Sequence, residues 1–129
     1  MRLDANDIEL YSCRLAHLES FLPPDEKEAY ERSCNNILSD IIAYDHRYHF
    51  TDMEKRILEF SRKARNLENI IFKIYETRKD SFRTIVRRDG TMVVAEIEMA
   101  HGLADELNDL DNQVLDEAEC RMSYTGGRG

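Results

Sequence analysis

The sequence predicts an all-α fold: a bundle of about four amphipathic helices with a long central helical hairpin, a β-hairpin at 82–99 being the alternative for its tip. Three observations lead there. Apolar residues recur at alternating steps of three and four along several segments. Helix breakers are scarce: the 129 residues include five glycines and two prolines, the latter adjacent at Pro23-Pro24. Charged residues make up 34% of the chain and hydrophobic ones 42%. Long helices accommodate that balance, because each buries only one stripe.

The first helix is expected over about residues 4–21, where Ile8, Tyr11, Leu15, Leu18 and Leu22 share one stripe. Pro23-Pro24 ends it. The second is expected from near Asp25, with Pro24 in its first turn and Asp25, Glu26 and Glu28 at the positive end of the helix dipole. Its stripe is Tyr30, Cys34, Ile37, Ile41 and Tyr44, fading in the polar run 45–49. Thr51-Asp52-Met53-Glu54 reads as a capping box, which sets the start of the third helix. That helix has the most regular pattern in the chain: Ile57, Phe60, Ala64, Leu67, Ile71 and Ile74 follow a coiled-coil-like repeat, and Leu58, Ile70 and Tyr75 widen it enough to touch two neighbours. Asp52–Arg56 and Glu59–Lys63 are favourable pairs four residues apart.

The seam fails at Arg78 and Ser81, and two readings of the next stretch compete. In the preferred one the helix continues to Arg88, turns at Asp89-Gly90 and returns from Thr91 along Val93, Ile97, Ala100, Ala104, Leu107, Val114 and Ala118, with Asp111 the one polar residue in the stripe. In the other, Asp89-Gly90 is the two-residue turn of a β-hairpin pairing Val86 with Val93, Ile85 with Val94, Arg83 with Glu96 and Phe82 with Ile97. Gly102 weakens a continuous last helix. Residues 103–119 are helical in both. Residues 1–121 are expected to form a single domain and 122–129, which lack periodicity, a disordered tail.

Several chemistries find no support in the pattern. Cys13, Cys34 and Cys120 are odd in number and outside any C-x-x-C pair, so reduced thiols in a cytoplasmic protein are expected. The acids near the N-terminus do not suit a signal peptide, and the longest apolar run, Met92–Ala95, is far too short for a membrane span. No Walker loop, G-x-S-x-G or H-E-x-x-H occurs, Cys34 sits within an apolar stripe, and Cys13 and Cys120 lack a nearby cluster of bases. Neither an enzyme nor a cofactor is expected.

Glu98-Met99-Ala100-His101 is half of a di-metal bundle motif, and the other histidines do not supply the second half. His46 and His49 beside Asp45 fall short of a ligand set. No metal site is therefore assigned. Glu98 and His101 are instead expected to form a polar layer with Arg78 and Ser81 across the hairpin.

Charge is more informative. The formal net charge is −8, yet residues 51–90 sum to +4 while 1–50 and 91–129 sum to −5 and −7. Part of this is expected to be internal complementarity between a basic third helix and acidic neighbours. Beyond that, Asp105, Glu106, Asp109, Asp116 and Glu117, with Asp111 and Glu119, form an acidic run that would present a negative face to a protein partner, one that is itself basic or nucleic-acid-binding. An adaptor, regulator or inhibitor is the function class this favours. The alternative is a nucleic-acid-associated protein contacting phosphate through Arg78, Lys79, Arg83, Arg87 and Arg88. The wide apolar stripe of the third helix also raises the expectation of a homodimer.

Overall fold

The computed structural model describes residues 3–77, 84–86, 88, 90 and 92–126. Four helices, α1 (Ala5–Glu19), α2 (Pro24–Tyr48), α3 (Asp52–Thr77) and α4 (Ala95–Gly126), form a bundle, and a short antiparallel ribbon of β1 (Thr84–Val86) and β2 (Met92–Val94) joins the last two.

Local chemistry sets the helix starts. The Asp4 side chain accepts from the Asp7 backbone N–H, and the Asp7 carboxylate accepts from that of Asp4, each at 3.0 Å. Pro24 opens α2, where a missing N–H is harmless. Thr51 and Glu54 make the expected reciprocal cap on α3, at 2.8 and 3.1 Å. The α2–α3 corner is tight: His49 takes a left-handed φ of 53° and its N–H reaches the Asp45 carbonyl at 2.9 Å. The Asp45 carboxylate then accepts from the N–H of Phe50, whose ring is buried beneath the corner.

Helix α3 is the spine and packs on each of the other three. All six seam residues, Ile57, Phe60, Ala64, Leu67, Ile71 and Ile74, are buried, and so is Leu58. They meet Ile8, Leu15 and Leu18 of α1, Tyr30, Ile37 and Ile41 of α2, and Ala100, Leu103, Ala104, Leu107, Val114 and Ala118 of α4 in one continuous core. The pairs Glu26–Lys73 and Asp45–Lys55 run α2 antiparallel to α3, and Glu68–His101 and Glu54–Arg121 do the same for α4. The seam of α3 is thus buried within one chain, while Ile70 and Tyr75 at its margins are half-buried.

Three expectations are corrected. The helices do not meet directly at the tip: 84–86 and 92–94 are strands, and α4 begins at Ala95. The ribbon pairs Thr84 with Val94, Ile85 with Val93 and Val86 with Met92, one residue out of the expected register. Between the strands, Gly90 has a φ of 88° that favours glycine. Glu96 and Ile97, expected as strand partners, lie in the first turn of α4. Finally, α4 continues through 122–126, which the sequence left as disordered tail. Arg78, Lys79, Ser81, Phe82, Arg83, Arg87 and Asp89 lie outside the described residues. No helix among the described residues is long and apolar enough to cross a membrane.

Candidate protein-interaction surface

The internal complementarity anticipated from the charge pattern is present on α3. Lys73 reaches Glu26 at 3.4 Å and Lys55 reaches Asp45 at 3.3 Å on α2. Arg65 bonds Glu68 at 2.8 Å and approaches Asp105 of α4 at 3.8 Å, and Lys63 pairs with Glu59 at 3.5 Å. Asp52 pairs with Lys55 at 3.9 Å, a different partner from the Arg56 expected. The basic character of α3 is largely spent inside the bundle.

His101 belongs to the same network and not to a buried polar layer. Its imidazole is 61% exposed, with Nδ1 2.7 Å from Glu68 and Nε2 3.1 Å from Asp105. The hydrogen bond to Glu68, then the charges of Asp105 and Glu68, raise its pKa above the ordinary histidine value, against smaller opposing effects of burial and Arg65. Because the two ring nitrogens point to opposite sides, Glu68 and Asp105 do not converge on one point with a single histidine nitrogen, as a metal ion requires. Among the described residues no group of three or more His, Cys, Asp or Glu side chains is arranged to hold a metal. His46 and His49 are exposed at the α2–α3 corner.

The five acids assigned to a partner-binding face divide by helix geometry. Asp105, Asp109, Asn112, Asp116 and Glu119 follow a three-four repeat on the side of α4 away from the core, and all are exposed. This outer stripe spans roughly 21 Å at 1.5 Å per residue. Asp105 is engaged by Arg65 and His101, whereas Asp109, Asp116 and Glu119 have no ion-pair partner among the described residues. Glu106, one residue from Asp105, turns toward α1: it accepts from Arg14 at 2.7 Å and from the Tyr11 hydroxyl at 2.9 Å. Arg14 above all holds the Glu106 carboxyl below its usual range despite partial burial, and Tyr11 adds to this. Burial and the same carboxylate push the Tyr11 phenol up to about 12. Glu117 is half-buried on another face and contributes to the field at Arg121.

Asp111 is not part of the surface at all. It sits in the core stripe, 8% exposed, hydrogen-bonded to Ser61 of α3. Burial raises its pKa, and the Ser61 bond and the Arg62 charge only partly offset the rise. Of the basic cluster 78–88, Arg88 alone is described, and it is exposed.

Cys13 and Cys120 are exposed free thiols, and Cys34 is a half-buried one. Burial raises the Cys34 pKa, which makes it a poorer nucleophile than an ordinary thiol. The depressions on the described surface are open grooves, such as the one of about 290 Å³ between α1 and α4. No protein-family model, curated protein or solved structure matches this chain.

Proposed function

We propose that this protein is a non-catalytic interaction module whose α4 stripe meets a basic surface on a protein partner. The observation that carries the reading is the outer face of α4, where Asp109, Asp116 and Glu119 line up in solvent with no counter-charge among the described residues. A bundle uses helical acids for its own stability when it places cations beside them, as it does for Glu106 and Asp105. Here it leaves a run of like charge instead, which repels itself and is relieved when a cationic partner arrives. Chemistry supports the same reading: among the described residues the reactive groups are paired, buried or scattered, and none converge in a shielded pocket.

The test is zero-length carbodiimide cross-linking in native extract, which joins carboxylates to lysines in contact. Cross-links from Asp109, Asp116 or Glu119 to lysines of one protein, lost in the triple Asn/Asn/Gln variant, are the expected result. Cross-links confined to other carboxylates would overturn the assignment of the surface. The competing reading, phosphate contact through Arg78, Lys79, Arg83, Arg87 and Arg88, predicts salt-steep binding of random-sequence nucleic acid. We expect no such binding at low salt.

A further inference from the structure

We infer that the partner element is an amphipathic basic helix, seated in the trough between α1 and α4 with its cationic flanks toward the acids of these two helices. The inference deepens the interaction reading above and rests on it. Leu10, Cys13 and His17 form one wall of the trough and Met99 and Leu103 the other, with Leu18 beneath. A second recess, lined by Asn6 and Glu9 of α1, adjoins the first and shares Leu10 and Cys13 with it. The α1 residues that line the two recesses run from residue 6 to residue 18, roughly 18 Å or about three helical turns. Leu10 is 62% exposed, an apolar side chain left in water at the middle of the trough.

Gly102 is the second observation. Met99, Gly102 and Glu106 lie on one stripe of α4, and the bonds that Arg14 and Tyr11 donate to Glu106 show that this stripe faces α1. Gly102 sits within the continuous helix, and a Cβ added there meets nothing within 4 Å. Neither backbone conformation nor packing inside the chain calls for glycine, the poorest helix former after proline. What the missing side chain does provide is a gap through which another helix approaches the α4 backbone closely.

Charge chooses the occupant. Arg14, the cation on the trough wall, is neutralised by Glu106 at 2.7 Å. Glu9 on α1 and Asp109, three residues beyond Glu106 on α4, are exposed with no ion-pair partner among the described residues. A ridge of apolar residues flanked by Lys or Arg satisfies both the trough and its margins, in the manner of helix-in-groove recognition. A second copy does not: each copy carries −8, and the same acids would face one another.

The test uses a short amidated helical peptide with leucines on one stripe and lysines on both flanks, read by fluorescence anisotropy and by amide chemical shifts of the full chain. We expect micromolar binding, shifts centred on residues 9–18 and 98–109, and weakening of about tenfold or more in Leu10→Glu and in Gly102→Leu. Both positions are exposed, and a melting temperature in the variants no lower than that of the native chain separates lost docking from lost folding. Equal binding of a scrambled peptide whose leucines do not align would overturn the proposal, as would unchanged binding by Gly102→Leu. A dimer of the native chain that Leu10→Glu dissociates would also overturn it, in favour of a second copy. Asp109→Asn separates the two readings. Loss of the peptide in the trough variants alone keeps the groove and sinks the acidic stripe, and loss in Asp109→Asn alone does the reverse.

Discussion

Arg121 and Glu54 lock the end of α4 onto the start of α3: two guanidinium nitrogens each meet a carboxylate oxygen at 3.0 Å. The same carboxylate accepts from the Thr51 backbone N–H at 2.8 Å, so one side chain caps a helix and receives an ion pair. The Glu54 side chain is only 5% exposed, while that of Arg121 is 46% exposed. Removing the arginine therefore strands a desolvated charge, with water able to reach part of the site.

We expect Arg121→Met to destabilise the fold by about 1–3 kcal/mol, less than a fully buried pair would lose because solvent compensates in part. Urea titration followed by circular dichroism measures it. The pH dependence has a definite sign. Burial pushes the Glu54 pKa up, but the bonds from Arg121 and Thr51 outweigh it, and the net direction is down. The stabilisation is thus present above the ordinary glutamate pKa and is lost as pH falls through the lower folded-state value. Arg121→Met removes most of that acid-side loss.

Asp111 behaves in the opposite way. Burial raises its pKa, so the folded protein favours the protonated acid and stability declines as pH rises from the unfolded value through the raised one. Asp111→Asn keeps a hydrogen-bonding group beside Ser61 without the charge, and we expect it to stabilise the protein at pH 7 by on the order of 1 kcal/mol. The gain vanishes in acid, where Asp111 is already neutral. Melting curves of the two proteins at neutral and acid pH decide it, and a lower melting temperature for Asp111→Asn at pH 7 refutes it.

How much of this was legible beforehand follows from the range of each interaction. The α3 seam, Pro24 and the Thr51–Glu54 cap rest on spacings of a few residues, which a helix converts directly into geometry. Asp111 stood out as the one polar residue in an apolar stripe, and it is buried there. The Arg121–Glu54 lock joins residues 67 apart, and nothing local marks it before the antiparallel packing of α3 on α4 is known. The acidic run on α4 read as one face, yet neighbouring residues lie 100° apart on a helix, so Asp105 turns outward and Glu106 turns to Arg14. The ribbon pairs one residue out of the register that a two-residue Asp-Gly turn implies.

His101 provides a test of the α3–α4 surface network. Its pKa is raised by Glu68 and Asp105, so the stabilisation is complete below the unfolded-state value and disappears as pH climbs through the folded-state value. The ring is mostly exposed, which keeps the effect small. Titration of the His101 ring protons by NMR is expected to give a midpoint above the ordinary histidine value, and Glu68→Gln to bring it back toward that value. A midpoint at or below the ordinary histidine value would show that the two carboxylates do not hold the ring.

Gly102→Ala asks whether a residue is kept for folding or for something else. The helix passes through this position without a positive φ, and the new methyl meets nothing within 4 Å. The substitution therefore gains helix propensity with no steric cost, and we expect the chain to become more stable by about 1 kcal/mol. Calorimetry or urea unfolding checks this without any knowledge of a partner. A loss of stability would mean that glycine serves the fold of α4 itself, and the trough would lose its second observation. A gain means that the native sequence gives up stability at one exposed turn of α4, which is the pattern expected where a helix surface is kept open for another chain.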